Sequence, residues 1–163
     1  MTSIWVAEHG WVHLNATIDC CTREIVGWEL SLRCRAQEAI AVIERALAEQ
    51  GITAGMLTLG TDNGSAFTAR ARRLVLSALG VTHRCGGCRD PESQAFIESW
   101  FRCLKERWLW RHELETLGQA REVINNYIER CHDRPESRLA YRTPREVRAT
   151  WDDAQQALQK QAT

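Results

Sequence analysis

The first thirty residues alternate apolar and polar positions, the period of a half-buried strand. Ile4-Trp5-Val6-Ala7 and Trp11-Val12-His13-Leu14-Asn15-Ala16-Thr17-Ile18 predict two strands joined by Glu8-His9-Gly10. Glu24 to Leu30 predicts a third, after the turn-like Cys21-Thr22-Arg23. Three consecutive antiparallel strands make a meander. With Glu8-His9-Gly10 as the turn, Ala7 pairs near Val12 and paired positions sum to about 19. That register sets Asp19 opposite the position just before Met1.

From Ala36 the period changes. Ala36, Ala39, Ile40, Ile43, Ala46 and Leu47 share one face of a helix that runs to about Gln50 and stops at Gly51. Met56-Leu57-Thr58-Leu59 predicts a short buried strand. A second helix, from about Thr68 to Leu79, should bury Phe67, Ala71, Leu74, Val75 and Ala78 before Gly80 closes it. Val81-Thr82-His83-Arg84 is a fifth strand, and Cys85 to Pro91 a loop rich in glycine and charge. A helix from about Ser93 to Trp110 carries the stripe Ile97, Phe101, Leu104 and Trp108. Another, from about Leu117 to Arg130, turns Leu117, Ala120, Ile124, Tyr127 and Ile128 inward, with Pro135 beyond its end. Tyr141 to Val147 predicts a turn into a short final helix. The order β-β-β-α-β-α-β-α-α is α/β: a mixed sheet with helices on both faces.

A chain of 163 residues suits one domain with a real core, here residues 1–150 followed by a tail at 151–163. No apolar run reaches the roughly 18 residues of a membrane span. The N-terminus lacks a signal-peptide layout, so the expected location is cytoplasmic. Seven cysteines, an odd number with Cys20 and Cys21 adjacent, suit buried free thiols in a reducing compartment. Net charge is zero, so a nucleic-acid partner would have to be held by local patches.

The chemistry gathers around two carboxylates. Asp62 lies just past the fourth strand in Thr61-Asp62-Asn63-Gly64-Ser65, where Gly64 permits a tight turn. Taken alone, the same four residues are also an ordinary turn. Glu98 opens Glu98-Ser99-Trp100-Phe101-Arg102-Cys103-Leu104-Lys105, and the 35 residues from 63 to 97 separate it from Asp62. At about 100° per residue, Lys105 falls almost directly below Glu98, Arg102 within about 40°, and the apolar stripe about 100° away. One flank of this helix therefore carries an acid and two bases. A Glu98–Arg102 pair on a solvated face is the plainer alternative.

Asp62, the gap, Glu98 and Lys105 together resemble the integrase catalytic core of insertion-sequence transposases, whose aspartate-aspartate-glutamate triad is shared with retroviral integrases. Gly10-Trp11 through Ile18-Asp19, and Thr22-Arg23-Glu24-Ile25-Val26-Gly27-Trp28, are similar to the family's second and third strands. Tyr127-Ile128-Glu129-Arg130, Arg134-Pro135 and Leu139-Ala140-Tyr141-Arg142-Thr143-Pro144 are similar to its C-terminal signature. The resemblance implies a ribonuclease H-like fold and metal-dependent DNA strand cleavage and transfer. It implies two Mg²⁺ (or Mn²⁺) ions on Asp62 and Glu98, with Lys105, Arg102 and Asn63 on DNA. The implied partners are transposon ends, target DNA and further copies of the chain, and no membrane. The family's first acid would fall just before Met1, so the 163 residues alone are expected to have little or no strand-transfer activity. A non-catalytic DNA-binding remnant and a ribonuclease H-like nuclease are the competing readings.

Departures from the family pattern are Asp90-Pro91-Glu92-Ser93-Gln94 before Glu98, and Cys131-His132 where relatives carry Tyr-Asn. Asp19 is a further candidate metal ligand, set against a turn-capping role. His83-x-Cys85-x-x-Cys88 has three donors of zinc type without a clear fourth. Trp5, Trp11, Trp28, Trp100, Trp108, Trp110 and Trp151 read as packing residues. Arg130, Arg134, Arg138, Arg142, Arg145 and Arg148 read either as a phosphate-binding patch or as a salted solvent face.

Overall fold

The computed structural model describes residues 1–33, 35–50, 55, 57–61, 70–85 and 91–161. Strands β1 (Thr2–Val6), β2 (Gly10–Ile18) and β3 (Ile25–Ser31) form the antiparallel meander. Its first turn is tighter than expected. His9 donates to the Val6 carbonyl, and Gly10 takes a φ of 74°, which glycine adopts without steric cost. Val6 therefore faces Gly10 and Thr2 faces Leu14, three positions out of the expected register. Asp19 thus lies well beyond the paired stretch of β1. The tip is fixed from outside, since Ala7 and Glu8 donate to the carbonyls of Leu114 and Glu115.

Helix α1 spans Ala36–Glu49, and its inward surface is broader than one stripe. Ile43 joins Leu59, Leu76 and Val81 in a small core, while Val42 and Ala46 press on β3. Gly27 makes that approach possible. A Cβ there would stand 3.0 Å from the Ala46 Cβ and 3.1 Å from the Val42 carbonyl. Strand β4 (Thr58–Thr61) starts two residues later than the apolar run indicated, and pairs in parallel with β5 (Thr82–Cys85). Helix α2 (Arg70–Ala78) buries Leu76 completely and leaves Leu74 63% exposed, reversing the expected face. The face is set by where the small core lies, and Leu76 points at it. Phe67 and Met56 lie outside the described residues. Among the described residues, the parallel pair and the meander form separate ladders.

Helix α3 (Pro91–Arg107) begins on a proline, whose missing N–H costs nothing in a first turn. Phe101 and Leu104 are buried against Val6, Val12, Leu14 and Leu30 of the meander. The helix ends at Arg107 instead of running to Trp110. The Trp108 indole donates to the Val123 carbonyl at 2.9 Å, and a short 3₁₀ turn (Leu109–Arg111) follows. Helix α4 (Leu117–His132) starts at a capping box, Thr116 accepting from Gln119 N and the Gln119 side chain from Thr116 N. Its Ala120, Ile124, Tyr127 and Ile128 complete the main core. Arg45 of α1 and Arg121 of α4 both reach Glu29 on β3, at 2.9 and 3.5 Å. The final helix, α5, runs from Pro144 to Gln161, much longer than the turn-like sequence suggested.

The tryptophans divide. Trp28, Trp100 and Trp108 pack on the core, whereas Trp5, Trp11, Trp110 and Trp151 are exposed, correcting the uniform packing role. Cys20 and Cys21 are exposed too, at the tip of the second turn where no core exists to cover them.

The Gly27 contact yields a stability prediction. Gly27→Ala should destabilise the chain by about 1–3 kcal/mol, because the methyl meets backbone of α1 that cannot move freely. A lowered urea midpoint at unchanged slope is the expected result; an unchanged midpoint would show that α1 slides at little cost.

Candidate active site

The two strands of the parallel pair end together. Thr61, the last residue of β4, faces Cys85 at the end of β5, and its hydroxyl lies 2.9 Å from Nε2 of His83. Asp62 follows Thr61 directly, and Asp62 and Asn63 themselves lie outside the described residues, as does Cys88 of the zinc-like motif.

Glu98 is described. Helix α3 packs against β4 as well as β2, so the helix that carries Glu98 touches the strand that leads into Asp62. Its apolar side is committed to the core through Phe101 and Leu104, which leaves Glu98 and Arg102 exposed and Lys105 half-buried. Among the described residues Glu98 forms no ion pair, with Arg102 or with any other base. A solvated face held by a Glu98–Arg102 bridge is therefore not what this helix shows. The carboxylate is an open oxygen donor of the kind hard divalent cations take. It is also one donor only: among the described residues no group of three or more His, Cys, Asp or Glu is arranged to hold a metal.

Asp19 has other work. It begins the second meander turn, where its backbone N–H donates to Glu24 O and Arg23 N–H donates to its own carbonyl. One carboxylate oxygen accepts from Cys21 N at 2.8 Å, a short-range cap. The other meets the Arg148 guanidinium at 2.7 Å, and Glu24 meets the same guanidinium at 2.8 Å. Burial opposes the charge on Arg148, yet its hydrogen bond to Glu24 and the field of Asp19 and Glu24 outweigh that and raise its pKa above the ordinary value. This three-residue cluster fastens α5 to the meander. Sequence reasoning missed it because 129 positions separate Asp19 from Arg148.

His132 is a second unforeseen tie. Its Nε2 accepts from the Ile25 N–H at 3.0 Å, which requires a neutral ring. Burial holds its pKa below the usual 6.5, against the fields of Glu24 and Glu129. The C-terminal arginines divide in a way that composition could not show. Arg145 is engaged by Glu129 and Asp133, and Arg148 by Asp19 and Glu24. Arg130, Arg134, Arg138 and Arg142 have no carboxylate partner among the described residues.

Known proteins share the sequence pattern and the fold of this chain. Residues 1–91 match the model of the integrase core domain, and residues 79–144 match a second integrase core domain model. The chain belongs to the integrase core domain family. It is 27% identical over 141 residues to the transposase for insertion sequence element IS904 of Lactococcus lactis, covering 85% of this chain and 55% of that protein. It is 26% identical to the putative transposase InsD for insertion element IS2E of Escherichia coli, covering 83% and 64%. This integrase core thus spans between half and two thirds of those relatives' length. Among solved structures, the catalytic core domain of BIV integrase superposes with a TM-score of 0.66 at 18% identity, covering 95% of both chains. The HTLV-2 integrase catalytic core domain in complex with magnesium superposes at 0.65 and 14%, covering 90% of both. The fold is ribonuclease H-like.

Two predictions follow from the ties. Arg148→Met should cost about 1–3 kcal/mol, because two half-buried carboxylates lose their shared cation. Asp19→Asn should cost less in that background than alone, and additive losses in a double-mutant cycle would refute the coupling. His132, with its folded pKa depressed, contributes stability that is present above about pH 6.5 and is lost as pH falls through the folded value. Thermal melts between pH 7 and pH 5 should therefore drop more steeply in the native chain than in His132→Gln, whose amide oxygen accepts a hydrogen bond at any pH; parallel curves would rule this out.

Proposed function

We propose that this integrase core serves DNA transposition, by metal-dependent cleavage and transfer of DNA strands. What carries the reading is the flank of α3: a Glu98 without an ion pair among the described residues, with Arg102 and Lys105 beside it, on a helix packed against the strand that leads to Asp62. Family membership and the insertion-sequence relatives support it.

In this reading Asp62 and Glu98 would hold divalent cations, Mg²⁺ or Mn²⁺, which when bound activate an attacking oxygen and stabilise a leaving one. The chain's own residues do the rest. The buried side of α3 fixes the direction of Glu98. Lys105 and Arg102, with Asn63, contact the phosphates next to the scissile bond, and these contacts give affinity without reading sequence. Asp19 serves structure and not metal, since both its oxygens are engaged. Transposon ends and target DNA are the substrates, copies of the same chain the partners, and the cytoplasm the place. No described helix is long and apolar enough to cross a membrane.

Calorimetric titration of the purified chain with Mn²⁺ tests the site. Glu98→Gln should weaken binding by at least about tenfold without lowering the melting temperature, because Glu98 lies off the core side of α3. Equal Mn²⁺ affinity in the variant would exclude Glu98 as a ligand and leave the reading of a DNA-binding remnant.

A further inference from the structure

Arg23 occupies an expensive position. Its φ of 67° is left-handed, where glycine would sit freely and an arginine costs about 1 kcal/mol or more. Its side chain crosses to α3 and lies over the ring of Phe96, with the guanidinium carbon 3.2 Å from the ring centroid. Two of its nitrogens, Nε and Nη1, are buried with no hydrogen-bond partner among the described residues. Arg138, from the short 3₁₀ turn Ser137–Leu139, brings a second guanidinium to 5.2 Å from the same centroid. Neither arginine has a carboxylate partner among the described residues. Two cations thus meet at one aromatic ring, one of them with two of its three nitrogens buried, and the ring sits on α3 about 200° around the helix from Glu98.

Like charges repel, and a guanidinium with sealed N–H groups is poorly solvated. Cation–π attraction offsets part of this, about 0.5–2 kcal/mol for each arginine. An anion at the open Nη2 edge of Arg23 would offset the remainder. A phosphate fits: it accepts from Arg forks and carries the charge both groups lack. We propose that Arg23 and Arg138, assembled on Phe96, form a phosphate clamp that holds the DNA backbone against α3. The clamp rests on the transposition reading. It gives a use to an arginine placed where the backbone favours glycine, and it gives Arg138 a function distinct from the ion-paired Arg145 and Arg148.

The test measures binding of a labelled DNA duplex to the full chain by anisotropy across a range of NaCl concentrations. Arg23→Gly removes the guanidinium while relieving the backbone; Arg138→Gln alters an exposed side chain, so the fold is retained even if the first variant is unstable. Each should weaken binding about tenfold at low salt and reduce the slope of log K against log salt by about 0.9 for the phosphate lost. The double variant should lose little more than either single one, because both arms grip one phosphate. Additive losses, or none, overturn the clamp while leaving the transposition reading intact. A native chain that binds no duplex overturns both. Inorganic phosphate, titrated at matched ionic strength, separates the sources. If the variants lose phosphate binding but bind DNA unchanged, the site takes a free anion and the DNA assignment fails.

Discussion

The packing of α3 on the meander is the contact on which the rest depends. Phe101 and Leu104 lie against Val6, Val12, Leu14 and Leu30, with Ile124 and Ile128 of α4 closing the same core. Apolar burial of this kind contributes about 1.5–3 kcal/mol for each large side chain. It also fixes rotation. A helix whose one side is committed to a close-packed core cannot turn, so Glu98, Arg102 and Lys105 are held on the adjoining flank at a constant direction. The direction of the Glu98 flank is thus set by hydrophobic contacts on the core side of the helix.

A second layer of restraint comes from polar ties between distant parts of the chain. Arg148 joins α5 to Asp19 and Glu24, His132 joins the end of α4 to Ile25, and the hairpin tip hangs on Leu114 and Glu115. The first two converge on the second meander turn, the segment that also sends Arg23 across to Phe96 on α3. One short turn therefore couples the C-terminal helices to the helix of Glu98. Gly27 belongs to the same logic from the other face, since its missing side chain lets α1 close on β3.

Where sequence and structure part, a particular force accounts for it. The hairpin register moved because Gly10 accepts a left-handed φ and shortens the turn. The face of α2 reversed because Leu76, not Leu74, points at Ile43, Leu59 and Val81. Helix α3 stopped at Arg107 because Trp108 turns its indole toward α4. Each depends on a neighbour remote in sequence, which local periodicity does not contain.

The sequence by itself determined the element order, the apolar sides of α3 and α4, and the family, because these follow from period, turn residues and motif spacing, all written along the chain. It also singled out Glu98 with its flanking bases, since helical geometry converts spacing into direction. Only the tertiary structure decided that Glu98 and Arg102 do not pair with each other, and that Asp19 is capped and bridged. It alone separated the ion-paired C-terminal arginines, Arg145 and Arg148, from those without a carboxylate partner among the described residues, and set Arg23 on Phe96. Whether a charge is satisfied depends on what lies within a few ångströms in space, and in this fold those partners come from positions as far apart as 19 and 148.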